Sequence, residues 1–135
     1  MAIVLGIDPG SRITGYGLIE SSSGKLKYIA SGRIIVTEKK DLAERLGLIY
    51  DGISEIVRKY QPTEFAVEKI FVSKSAPSAL KLGQARGAAI IAGSKQGAIL
   101  SEYEARKIKQ AVVGTGSATK EQVQLMVKSL LALSE

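Results

Sequence analysis

Residues 3–8, Ile-Val-Leu-Gly-Ile-Asp, constrain the fold of this chain more than any other stretch. From Ile3 to Ile7 there is no polar side chain, the pattern of a β-strand covered on both faces. The run ends in Asp8 and turns through Pro9-Gly10, after which Ile13 to Glu20 resumes an extended, partly alternating pattern. A carboxylate closing a buried strand, with Arg12 just past the turn, admits two readings. It is either the acid at the tip of a hairpin or a charged group that the strand holds for chemistry.

The rest of the chain alternates between strand and helix signals. Ser21 to Gly24 reads as a turn, and Lys27 to Val36 as a third strand completing a meander. Asp41 with Glu44 three residues on is a capping-box start. Leu42, Leu46, Ile49, Ile53 and Ile56 then recur at helical spacing, predicting one buried stripe that Gln61-Pro62 brings to a stop. Glu64 to Glu68, EFAVE, is a short strand; arriving after a helix, it is expected to lie parallel to the first. A second helix is predicted from about Pro77 to Gln96, full of alanine and glycine. Each glycine costs a helix roughly 1 kcal/mol against alanine. Such a helix therefore packs its backbone closely on something: the sheet, a neighbouring helix or another subunit. Ala98 to Leu100 reads as a short strand, and Ser101-x-x-Glu104 as a capping box opening a helix towards Gln110. A glycine loop, VVGTGS at 112–117, precedes a last amphipathic helix through Val123, Val127, Leu130 and Leu131. The order βββαβαβαα predicts an α/β fold, a mixed five-stranded sheet flanked by helices.

Composition narrows the chemistry. At 135 residues the chain is one domain's worth, burying roughly two-thirds of its unfolded surface. There is no cysteine and no histidine, so thiolate sites and the commonest general base are both excluded. No segment approaches the ~20 apolar residues of a membrane span, and no basic stretch precedes the first apolar run; a cytoplasmic location is expected. The net charge of +6 is unevenly spread. Residues 1–68 carry nine basic and nine acidic side chains, whereas residues 69–128 carry ten basic against three acidic. That excess suits a polyanion, or a merely soluble basic surface.

Two predicted strands end in acids, Asp8 and Glu68. If those strands are parallel neighbours, both carboxylates emerge at the carboxyl edge of the sheet, where open α/β sheets carry their sites. Like charges so placed must share a proton or hold a cation. Oxygen ligands alone select Mg²⁺ or Mn²⁺. Two such ions ~4 Å apart can activate water and stabilise the leaving oxygen of a phosphodiester. Alternatively, Glu68 is a strand-end acid paired with Lys69 or Arg12.

The segments GIDPGSRITGYGLIE, FAVEKIF, SALKLGQARG and EYEARKIKQAVVGTGSATKEQVQ occur in this order. In that order and spacing the chain resembles the RuvC family of bacterial Holliday-junction resolvases over essentially its whole length. Asp-x-Gly after a strand also opens sugar kinases and actin-like ATPases, so ALKLGQARG and KQAVVGTG carry most of the specificity. The resemblance implies an RNase H-like fold, a homodimer, and paired nicking of four-way junction DNA that depends on Mg²⁺, with two ions per site. It further implies contact with a branch-migration motor complex. It places Asp8 and Glu68 among four metal-binding acids, and Phe71 as an aromatic stacking on a splayed base. Lys109 and Lys120 become basic residues approaching the scissile phosphates, Lys120 being the candidate for catalytic support. The small-residue helix becomes the dimer contact. Without the resemblance, Phe71 reads equally well as core and Lys109 as a solvated helix charge.

The remaining two acids of the family form an Asp-x-x-Asp pair, and residues 1–135 contain none. The expectation is a single RNase H-like nuclease domain, 1–135, lacking its C-terminal end. The competing class is a non-catalytic dimer that grips branched DNA without cutting it. An actin-like phosphotransferase is a third reading, disfavoured by length.

Overall fold

The computed structural model describes residues 2–22, 25–37, 41–68 and 76–103. The elements in chain order are β1 (Ala2–Asp8), β2 (Ile13–Ser22), β3 (Lys25–Ile35), α1 (Leu42–Tyr60), β4 (Glu64–Glu68), α2 (Ala76–Ser94) and β5 (Ile99–Tyr103). Among the described residues the sheet has five strands in the order β3-β2-β1-β4-β5. β1 and β2 pair antiparallel, as do β2 and β3; β4 joins β1, and β5 joins β4, in parallel. The central place of β1 explains its unbroken apolar run, for Leu5 and Ile7 are fully buried and Val4 is nearly so.

Alternation along the strands sorts side chains onto two faces. Leu5, Ile7, Phe65 and Val67 share one face by register, and all four are fully buried. Both helices cover this face. Gly93 of α2 lies so close to the Phe65 ring that a Cβ there would stand 2.9 Å from it, and Gly52 of α1 meets Ile34 in the same way. Ile49, Ile53, Ile56 and Val57 complete the core from α1, and Ala85, Ala89 and Ala92 from α2. Within α2, Gly93 meets the sheet at Phe65, Ala85, Ala89 and Ala92 are buried in the core, and the helix backbone also packs closely on α1. At Gly83 and Gly87 a Cβ would have nothing within 4 Å.

Both ends of α1 follow from local chemistry. The Asp41 side chain accepts a hydrogen bond from the Ala43 N–H at 2.8 Å, and Gln61 closes the helix in the left-handed region at φ 49°. Leu42, expected on the buried stripe, is exposed in the first turn, where the helix has not yet reached the sheet.

Three expectations are corrected. Ser21 and Ser22 belong to β2 and β3 begins at Lys25, so the meander runs further than the turn signal suggested. The start of a helix at Ser101 is not seen: Ser101 pairs with Ala66 and Glu102 with Val67 within β5. Ladder hydrogen bonds to a neighbouring strand outweigh a local capping pattern there. The second helix also ends at Ser94 rather than Gln96. Gly97 turns the chain at φ 94° beyond it, a conformation suited to glycine. The glycine loop and the final helix lie outside the described residues, as does the chain from 104 onward. Among the described residues no helix is long and apolar enough to cross a membrane.

Candidate active site

Asp8 is the last residue of β1 and is exposed, while Ile7 before it is fully buried between Tyr16 and Val67. The strand therefore fixes the backbone of a charged residue at the rim of the core. The turn that follows is equally constrained. The Thr14 side chain is fully buried; its hydroxyl donates to the Gly10 carbonyl at 3.2 Å and accepts from the Gly10 N–H at 3.3 Å. A Cβ on Gly10 would lie 2.2 Å from the Ile13 carbonyl oxygen, so only glycine fits this turn. The Arg12 carbonyl accepts from the Val36 N–H at 2.8 Å, tying the turn to the end of β3. Gly15, the register partner of Asp8, leaves room beside the carboxylate: a Cβ there would be 3.7 Å from Asp8 Cβ.

Glu68 ends β4 as Asp8 ends β1, and the residues before them, Val67 and Ile7, are register partners. The two backbone positions are therefore neighbours at one edge of the sheet, as the sequence predicted. Phe71, Lys109 and Lys120 lie outside the described residues. Among the described residues no group of three or more metal-ligating side chains is assembled. An exposed Asp8 carboxylate beside the Glu68 position is a hard-oxygen donor set, which fits Mg²⁺ or Mn²⁺ in kind.

One feature of the edge was not legible in advance. A groove of about 470 Å³ opens at Pro9 and Gly10, just past Asp8 in the chain, between the β1–β2 turn and the first turns of α2. Ser11, Arg12 and Ile13 line it from the turn, and Ser78, Lys81 and Leu82 from the helix. In the sequence Arg12 stands out only by its position after the turn, and Lys81 is one of the ten basic residues between 69 and 128.

The family model described as crossover junction endodeoxyribonuclease RuvC matches residues 4–135. The chain belongs to the RuvC family. Among curated relatives, the RuvC of Psychromonas ingrahamii is 58% identical over 134 residues, covering 99% of this chain and 77% of the relative. The RuvC of Saccharophagus degradans is also 58% identical over 134 residues, with 99% and 78% covered. The structure of T. thermophilus RuvC in complex with a Holliday junction substrate superimposes with a TM-score of 0.86 at 32% identity. It covers 100% of this chain and 82% of that one. The yeast mitochondrial Holliday junction resolvase Ydc2 has a TM-score of 0.66 at 13% identity, over 93% of this chain and 62% of its own. That likeness concerns the fold alone. The RNase H-like architecture expected from the sequence is the one found in the T. thermophilus RuvC structure and in Ydc2.

Proposed function

We propose that this chain forms the nuclease fold of a structure-specific endodeoxyribonuclease that resolves four-way DNA junctions by paired nicks, with Asp8 and Glu68 supplying two of the four carboxylates that hold its divalent cations. The observation that carries this is the meeting of positions 8 and 68 at the ends of adjacent parallel strands, in a RuvC-family sheet. Membership of that family weighs against both the non-cutting binder and the actin-like phosphotransferase. Mg²⁺ or Mn²⁺ bound at the edge would lower the pKa of a water nucleophile and neutralise charge on the phosphate. The protein's own work is positional. β1 holds Asp8 rigidly at the rim, with β4 setting Glu68 alongside. Lys120 supplies positive charge at the scissile phosphate, Lys109 approaches the same strand, and Phe71 stacks on an unpaired base at the junction centre. These three roles, and contact with a branch-migration motor, rest on the family resemblance.

Electrostatic grip should make junction affinity fall steeply with salt, with a log–log slope of about −0.9 per phosphate neutralised. Lys109→Ala and Lys120→Ala are each expected to flatten that slope by about one. The measurement is a fluorescence-anisotropy titration of a four-way junction across a salt series. A wild-type slope near zero would rule out the nucleic-acid reading.

The second copy of a homodimer has a suitable seat on α2. Leu80 and Ile91 are 64% and 55% exposed, and Gly83 and Gly87 lie between them with open space at their Cβ positions. Close backbone approach by a partner helix is what such a face permits. Gly87→Leu is expected to yield a monomer at concentrations where the wild type sediments as a dimer. Its melting as a monomer should not fall, since leucine is the better helix former. A Gly87→Leu protein that still sediments as a dimer would remove this face from the interface.

A further inference from the structure

Arg12 is a residue that the cation-binding edge does not use. It stands on a turn latched from beneath by the buried Thr14 hydroxyl and from the side by the Val36 N–H. Across the groove stands Lys81, on the second turn of α2. Both side chains are exposed, and among the described residues neither makes an ion pair. Arg86, further along the same helix, does: it is bound to Glu102 of β5. No carboxylate lies among the described residues lining the groove, and Ser11 and Ser78 add hydroxyls to its walls.

The groove between β3 and α1 provides a contrast. Its volume is about 270 Å³, and it sets Arg33 and Lys59 against Glu55, with Tyr16 and Tyr60 beside them. Burial, reinforced by Tyr60, pushes the Tyr16 phenol above its ordinary pKa. That cavity has mixed charge, with Glu55 offsetting part of the pull that Arg33 and Lys59 exert on an anion. In the groove at the β1–β2 turn the charged side chains are both cations, set among two serine hydroxyls and the apolar Pro9, Ile13 and Leu82. Its volume of about 470 Å³ is many times that of a lone phosphate, which suits a length of nucleic-acid backbone.

We infer that this groove seats a non-scissile backbone phosphate of the strand being cut, gripped by Arg12 from the turn and Lys81 from α2. The inference rests on the junction-resolving function proposed above and extends its substrate site. The physical need is plain. Bringing a polyanion against Asp8 and Glu68 sets like charges together, and two cations beside that edge offset the repulsion. Arginine presents a planar fork matched to phosphate oxygens, and lysine a compact charge. Because the backbone of Arg12 is already fixed by its two anchors, little ordering remains to be done on binding. A phosphate held here sets the register of the scissile one over the acids.

The test is a scan of four-way junctions in which each phosphate flanking the cleavage point is replaced, one at a time, by a neutral methylphosphonate. Affinities are measured with the wild type, Arg12→Gln and Lys81→Gln, all at low salt and without divalent cation. Both substitutions are at exposed positions, so thermal melts should coincide with the wild type. In the wild type, one position beside the cleavage point should cost about tenfold in affinity, the scale of a charge-assisted contact. In either variant the same methylphosphonate should cost less than about twofold, because the contact is already lost. A variant that stays as sensitive as the wild type at every position overturns the grip. Preference for the junction over a linear duplex is read in the same titrations. A wild type lacking that preference overturns the junction reading and this site with it. One that shows the preference, but a scan independent of Arg12 and Lys81, overturns this site alone.

Discussion

Replacing Asp8 by asparagine is expected to leave four-way DNA bound and uncut. Asparagine keeps the size and shape of the side chain and removes its charge, at an exposed strand end where Ile7 and Val67 beneath are undisturbed. Stability should therefore change by no more than about 0.5 kcal/mol. Junction affinity should hold or rise slightly, since one repulsion against the phosphates is gone. Cutting should fall by at least about a hundredfold, because even outer-shell partners of a metal site are worth 10–100-fold and Asp8 is proposed as a direct ligand. The comparison needs a cutting form. Two carboxylates leave most of an octahedral shell to water and DNA, so residues 1–135 alone are expected to cut barely or not at all in Mg²⁺. A chain in which these residues are followed by a helix carrying Asp-x-x-Asp should give paired nicks. Product formation on a synthetic junction, with the short form, the long form and long-form Asp8→Asn, decides the matter. Full activity in the short form would sink the four-carboxylate scheme, and an active Asp8→Asn would take Asp8 out of the mechanism.

Phe65→Ala is expected to cost about 3–5 kcal/mol of stability, a large share of what a domain of this size possesses. Phe65 is the largest fully buried side chain described, and it faces Gly93 across a gap too narrow for a methyl group. Deleting the ring opens a cavity between β4 and α2 that a helix backbone cannot collapse to fill. Urea unfolding followed by circular dichroism gives the number. A loss below about 1 kcal/mol would mean that α2 is not seated on the sheet at this point.

The sequence disclosed the fold where one physical signal dominated. Ile3 to Ile7 announced a central strand, Asp41 and Gln61 marked the ends of a helix, and EFAVE after that helix implied the parallel neighbour that brings position 68 beside position 8. It misled where a local signal competed with a tertiary one. Ser101-x-x-Glu104 has the chemistry of a helix cap, but the open edge of β4 recruits Ser101 and Glu102 into a strand, a preference no short window contains. Helix α2 was ambiguous for a different reason. With small residues on every side it has no periodic stripe, so the face meeting Phe65 and the face left open at Gly83 and Gly87 could not be told apart. The role given to Lys81 needed the turn at Arg12 brought opposite it, and the sixty-eight residues between them hide that meeting.

The parallel pairing of β1 with β4 also sets a timetable. Asp8 and Glu68 are sixty residues apart, and the first three strands can zip together as neighbouring hairpins while α1 is still being made. Bringing β4 against β1 requires the whole crossover through α1 and the closure of a long loop, the slow kind of contact in a folding chain. During synthesis the meander is thus complete while the second acid is still missing. If the two acids act as proposed, a half-folded copy carries Asp8 on a meander without its partner, and the cutting edge forms only after the domain has closed.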